Sequence, residues 1–241
     1  MDKYNIIKCS DVDSTNNYAL SLKENVLFKE GLVISSDFQI KGRGQRGNNW
    51  ESERGSNLIM SVVIEPNISI KKQFDLSKIS SLSVMECMSN LGVDSSIKWP
   101  NDILVHKHKI AGILIENLVS NNIITHSVIG IGLNVNQLDF DDYKPIATSL
   151  RIELNKHLIL KEIQTKILNS LSDKLRIYRG GRSLESEYLD ALFQKDKVAF
   201  FETNFARFNG IIRGVTAEGL LIIETKDAIK NFSLKEIKMI F

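Results

Sequence analysis

Cysteine and proline are scarce, with two and three copies in 241 residues. Cys9 and Cys87 cannot build a disulfide framework, so an apolar core must hold the fold together. Neither sign of charge dominates either: 31 Lys and Arg stand against 29 Asp and Glu, for a formal net charge of +2. This balance argues against broad nucleic-acid binding, which normally shows as a strongly basic domain or face, and leaves a small nucleotide as the ligand of that class. Long apolar runs are also missing. No window approaches the roughly 20 apolar residues of a membrane span, and MDKYNIIKC lacks the basic and then apolar stretch of a secretory signal. The expectation is a soluble, cytoplasmic protein with no membrane partner. Hydrophobic residues, at 43%, suffice for one sizeable core, or for a main domain and a small one.

Along the chain, Asn5 to Ile7 is a short apolar start, and DSTNNYALSL reads as a helix entry with Asp13, Ser14 or Thr15 able to cap it. Leu32 to Ser36 and Asn57 to Ile64 read as strands, joined by a polar, glycine-bearing segment from Gln39 to Ser56. Phe74 to Leu91 has helical spacing. SIKWPNDILV and KIAGILIEN read as paired strands, Ile123 to Val135 as another strand, and Leu160 to Leu192 as helix. From Lys197 the pattern changes to short strands with Gly turns, as in a small barrel or meander, so a boundary is expected near Lys195, dividing 1–194 from 195–241. Strands and helices do not alternate regularly, and the class is α+β.

Four segments carry possible chemistry. In GRGQRGNNW, Gly42, Gly44 and Gly47 have the spacing of the dinucleotide fingerprint, yet a strand follows where that motif needs a helix, and no Lys-Ser or Lys-Thr pair closes it as a phosphate loop. What remains is a cationic loop whose amides and guanidinium groups can wrap an anion, with Trp50 as an anchor or stacking surface. In KWPND, Lys98 and Asp102 flank a Trp-Pro step that sets Asn101 and Asp102 at a defined turn. Lys109 opens KIAGILIE, where Ala111 and Gly112 let a bulky group approach the strand. GIGLNVN, Gly130 to Asn136, ends a strand with two polar asparagines. Taken singly, each could be a solvated loop, an edge charge or a simple turn.

Together and in order, the sequence resembles the biotin protein ligase family. The matching motifs are STN at Ser14 to Asn16, Q-x-x-GRG-x-RG-x-x-W from Gln39 to Trp50, KWPND, K-x-AGIL-x-E from Lys109 to Glu116, GIGLN-x-N from Gly130, and ATSL at Ala147 to Leu150. The resemblance implies a mixed-sheet catalytic domain of the class II aminoacyl-tRNA synthetase and lipoate ligase type, followed by an SH3-like β domain. It implies joining of biotin to ATP, giving biotinyl-5′-AMP, and transfer of the biotinyl group to a lysine of a carboxyl carrier domain of acetyl-CoA carboxylase or a related carboxylase.

On this resemblance, Lys109, Arg43 and Arg46 are the catalytic cations, offsetting the repulsion between a carboxylate and an α-phosphate. Ser14, Thr15, Asn16 and Gln39 are expected to bind the ureido ring, which lies against the glycines of the Lys109 strand, Gly112 among them. Gly42, Gly44, Gln45, Trp50, Lys98, Asn101, Gly132 and Asn134 complete the ligand-binding set, and Asp102 is the expected Mg²⁺ ligand. Relatives can pair through an edge strand, for which Ile123 to Val135 or its neighbours would serve, so a homodimer is possible.

Two departures stand out. Many relatives carry GRGRRGR, whereas this chain has Gln45 and Asn48, and loss of a charge-assisted contact predicts faster escape of biotinyl-AMP. Bifunctional relatives carry an N-terminal winged helix-turn-helix, whereas STN here begins at residue 14, predicting a dedicated ligase without specific DNA binding. The competing readings are a lipoate or octanoate ligase or transferase of the same fold, and a non-enzymatic biotin sensor. A thioester-forming transferase needs an activated cysteine, and neither Cys9 nor Cys87 lies beside the glycine loop or KWPND in sequence.

Overall fold

The computed structural model describes residues 4–140 and 146–240, apart from the side chain of Arg46. The main sheet begins with β1 (Asn5–Val12), helix α1 (Thr15–Ser21), β2 (Leu32–Gln39) and β3 (Leu58–Ile64). A two-residue strand β4 (Ile68–Ser69) and helix α2 (Gln73–Ser89) lead to β5 (Ser96–Lys98), β6 (Asp102–Val105), β7 (His108–Ser120) and β8 (Ile123–Leu133). The order across the sheet is β1-β2-β3-β8-β7-β6-β5, with β4 paired beside β8. Only β1 and β2 run parallel, and every other pair is antiparallel. Helices α3 (Leu150–Leu154), α4 (Leu160–Arg179) and α5 (Glu185–Asp190) follow.

A second sheet, all antiparallel, holds β9 (Val198–Glu202), β10 (Arg207–Val215), β11 (Leu221–Glu224), β12 (Ile229–Phe232) and β13 (Lys238–Ile240) in the order β12-β11-β10-β9-β13. The α+β class and the small C-terminal β unit are therefore as the sequence reads. The expected helix from Leu160 to Leu192 is two helices. Gly180 caps the first, and Gly181 takes φ +87, a left-handed conformation that ends a helix at little cost for glycine alone.

Side-chain alternation along the central strands creates two different faces. On β3, β7 and β8, Met60, Val62, Ala111, Ile113, Ile129, Ile131 and Leu133 enter the main core, which α2 and α4 cover with Leu76, Ile79, Met88, Ile163, Ile167 and Leu171. The alternate positions Ile59, Gly112, Leu114, Gly130 and Gly132 line a cavity, and Ser61, on the same face, is buried against Thr15 and Asn16. Further along that face, Ala19 and Phe28 close a smaller apolar cluster with Leu32, Ile34, Val63 and Val128. The main core runs on without a break into the second sheet through Phe201, Ile212, Val215, Leu221 and Ile223.

Strand β8 lies between β3 and β7, so the expectation that Ile123 to Val135 offers a pairing edge is corrected. Both of its hydrogen-bonding sides are used. Among the described residues the outer strands are β1 and β5, and β5 is partly covered by an isolated bridge from Ile97 to Leu192.

Candidate active site

The small and polar residues of the sheet's open face floor a cavity of about 880 Å³. At one end stands a neutral polar cluster built by the start of α1. Thr15 donates to Gln39 Oε1 from its backbone N at 2.8 Å and from Oγ1 at 3.1 Å. Ser61 Oγ lies 2.7 Å from Thr15 Oγ1 and 2.6 Å from Asn16 Oδ1. Ser14, Thr15, Asn16 and Ser61 are all buried. Ser14 is the N-cap residue of α1 but makes no side-chain cap bond; Asp13 instead accepts from the Ser14 backbone N and from Asn17. Asn16 fits because its partner strand has glycine there: a Cβ on Gly130 would come within 2.4 Å of Asn16 Oδ1.

The other end is charged. Lys109 Nζ lies 2.7 Å from Asp102 Oδ1, and Lys98 Nζ 4.0 Å from Asp102 Oδ2. Hairpin register accounts for this grouping, since Lys98 pairs with Asp102 between β5 and β6, and Asp102 with Gly112 between β6 and β7. Burial depresses the Lys98 pKa; Asp102 opposes that shift, and Lys109 and Lys238 add to it by repulsion. Asn101 Nδ2 donates to Ile113 O at 2.8 Å, which ties the KWPND turn to β7. Asn134 Nδ2 donates to Thr148 O at 3.0 Å. Lys109 shares a bridge with Ala147, its backbone N donating to Ile146 O and its O accepting from Thr148 N. Both asparagines thus have partners that secure the backbone around the lysines.

The Gly42–Gly47 loop closes the cavity. Gly44 N donates to Asn48 O at 2.7 Å and Trp50 N to Gly42 O at 2.9 Å, around a single helical turn at Gln45–Gly47. The Trp50 indole rests on the glycine floor: a Cβ on Gly132 would fall 2.4 Å from Trp50 Cε2, and one on Gly112 3.1 Å from Cζ3. Lys109 Nζ sits 5.6 Å from the centre of the same indole. The indole thus covers the glycines on which the acid is expected to lie. Trp50 Nε1 and Gln45 Oε1 are both buried with no hydrogen-bond partner among the described residues. Arg43 is bound by Glu116, while the side chain of Arg46 lies outside the described residues.

Asp102, the expected Mg²⁺ ligand, faces Lys109 and Lys98 with its two carboxylate oxygens, and among the described residues no group of three or more His, Cys, Asp or Glu is gathered around it.

A cavity that joins a neutral polar end to a cationic end suits a ligand pair of matching character, and the motifs that build it belong to one family. Residues 9–134 match the Biotin/lipoate A/B protein ligase family. The chain belongs to that family. It is 30% identical over 234 residues to the Bifunctional ligase/repressor BirA of Bacillus subtilis, spanning 95% of this chain and 72% of that protein. It is 32% identical over 142 residues to the Biotin--[acetyl-CoA-carboxylase] ligase of Mycobacterium tuberculosis, spanning 57% of this chain and 51% of that one. Among solved structures, biotin protein ligase from Aquifex aeolicus in complex with biotin and ATP shares the fold with a TM-score of 0.80 at 28% identity, covering 98% of both chains.

Sequence reasoning missed two parts of this family site. Ser61 is hidden in an apolar strand, and only its place in the period-two alternation puts it on the face that carries Thr15 and Asn16. The second sheet adds Leu221, Leu234, Ile237, Lys238 and Met239 to the cavity wall. It is anchored there by Trp99 Nε1, which donates to Gly219 O at 3.0 Å, a contact no local pattern announces.

Proposed function

We propose that the chain is an ATP-dependent biotin protein ligase. The observation that supports this reading best is the division of one cavity into a neutral polar end and a two-lysine end. The ureido ring of biotin would meet Ser14, Thr15, Asn16 and Gln39 at the first, since a buried polar ring needs partners. Its carboxylate would then meet the α-phosphate of ATP beside Lys109 and Lys98.

A carboxylate oxygen attacks the α-phosphorus, the bond from that phosphorus to the bridging oxygen of the β-phosphate breaks, and pyrophosphate leaves. Lys109 offsets the repulsion between the two anions and the charge that grows on the phosphoryl oxygens. Asp102 keeps the Lys109 ammonium aimed into the cavity. An arriving phosphate would also reverse the depressed proton affinity of Lys98, because opposite charge favours the ammonium form. Magnesium would come with the nucleotide as its complex, holding few protein carboxylates. The loop, with Arg43, Arg46, Gln45 and Trp50, would shield the anhydride from water. In the second step a carrier lysine amine attacks the biotinyl carbonyl, the acyl–oxygen bond breaks, AMP leaves and the amine loses a proton.

We take 1–194 as the catalytic unit and 195–241 as the unit that walls the site. The carrier is expected to be the biotin carrier domain of acetyl-CoA carboxylase or a related carboxylase, as the names of the relatives suggest. The test is exchange of labelled pyrophosphate into ATP by the purified chain with Mg²⁺ and either biotin or lipoate, followed by mass measurement of a carrier domain. Exchange with biotin and a single biotinyl addition are expected; exchange with lipoate alone, or with neither acid, would overturn the reading.

A further inference from the structure

Glu116, the last residue of the K-x-AGIL-x-E motif, has no part in the chemistry above, yet it joins the polar end of the site to the Gly42–Gly47 loop through Asn16 and Arg43. Strand alternation puts it on the cavity face of β7, two positions beyond Leu114 and opposite Val128. A single oxygen, Oε2, accepts from Asn16 Nδ2 at 2.8 Å and from Arg43 Nη2 at 2.5 Å. The other end of the Asn16 amide is held by Ser61, and the amide sits in the niche that Gly130 leaves open.

A partly exposed ion pair taken alone contributes little. This one differs because its carboxylate oxygen is shared with a side chain only 2% exposed, so moving the carboxylate disturbs a buried amide as well as a loop arginine. Two hydrogen bonds to one ionised oxygen are also stronger than their neutral counterparts.

We propose that Glu116 is a positioning residue that acts in two directions at once. It orients the Asn16 amide, with Oδ1 towards Ser61, and it holds the Arg43 guanidinium at the mouth of the cavity. The first effect belongs to binding of the acid and the second to the adenylation step.

This inference rests on the proposed function, and the two can fail separately. Pyrophosphate exchange with biotin would be measured for the full chain and for Glu116→Gln, Arg43→Ala and the double variant, with thermal melting of each. Glu116→Gln is expected to raise the KM for biotin about fivefold or more and to lower kcat, while Tm stays within about 2 °C of wild type. Arg43→Ala is expected to lower kcat with little change in KM. In the double variant kcat should fall no further than in Arg43→Ala, while the raised KM persists. Wild-type-like KM and kcat in Glu116→Gln, or kcat losses that multiply in the double variant, would overturn the role of Glu116. Should Glu116→Gln not fold, Glu116→Asp keeps the charge but is one methylene too short to reach both partners; the same split is expected, and unchanged constants would refute the role. Absence of exchange in the wild type would refute the functional reading itself.

Discussion

Gly132→Ala tests how the site is closed. The new methyl carbon would lie 2.4 Å from Trp50 Cε2, 2.6 Å from Cζ2 and 2.8 Å from Cδ2. Carbon atoms prefer about 3.5–4.0 Å, so the overlap is about 1 Å at several atoms at once. Either the sheet or the indole must yield. Gly132 is paired to Ile59 on one side and to Gly112 on the other, and its backbone cannot shift without breaking both ladders. The indole is carried by a loop held by few contacts, chiefly Trp50 N to Gly42 O and the Arg43–Glu116 pair. The loop should therefore move, at a cost of about 1–3 kcal/mol typical of overpacking, which corresponds to about 5- to 150-fold in adenylation.

Because the loss is local, Tm should change by less than about 2 °C, whereas the same energy taken from the sheet would lower it by about 2–4 °C per kcal/mol. Trp50 and Trp99 are the two tryptophans, so emission should shift to the red as the indole meets water. Gly112→Ala should show the same effects more weakly, since its methyl would stand at 3.1 Å. An alanine at 132 with normal exchange and unshifted emission, or a reversed order of the two variants, would refute the assignment of the glycine floor to Trp50.

Three further outcomes follow from the site and the core. Lys109→Met leaves Asp102 with only the more distant Lys98 of the pair and should lower biotin-dependent pyrophosphate exchange about 10²–10³-fold, as loss of one electrostatic stabiliser does. Gln45→Arg puts a cation where Gln45 Oε1 is buried without a partner among the described residues and should slow release of biotinyl-AMP by about 5- to 150-fold if the contact contributes about 1–3 kcal/mol; equal off-rates by rapid gel filtration would count against it. Burial pushes the Cys87 thiol from 9.0 up to about 11, so the unfolded chain binds fewer protons between those values and this group's contribution to stability falls as pH rises through the window. Thiol alkylation followed by mass spectrometry at mildly alkaline pH should label Cys9 first and Cys87 only on unfolding.

Much of the fold was legible because its strands are short apolar runs between turn residues, and the neighbours in sequence are often neighbours in the sheet. The hairpins of KWPND and KIAGILIE pair as their patterns suggest; register sets Lys98 opposite Asp102, while Lys109 pairs with Leu104 and reaches Asp102 through its side chain. The polar cluster of Thr15, Asn16 and Gln39 also assembles, since β2 ends beside the start of α1. What the pattern could not show was long-range. The break at Gly180 and Gly181 depends on a backbone conformation that competes with good helical spacing on either side. The placing of β8 inside the sheet depends on strand order, which apolar content does not reveal. Asp102 has Lys98 close by in sequence, and only the fold adds the Lys109 ammonium to it.

The glycines make the same point at the scale of single atoms. Gly42, Gly44 and Gly47 suggest a mobile loop when read as composition, but the structure gives Gly42 a steric role, since a Cβ there would lie 2.2 Å from Trp50 O. Gly132, Gly112 and Gly130 then form a floor without side chains, on which an indole and an amide rest. The two sets are complementary, because a loop glycine lets Trp50 fold back and floor glycines let it settle. A ligand entering this cavity must share or displace the indole. Binding and loop position are thereby coupled through simple exclusion of volume.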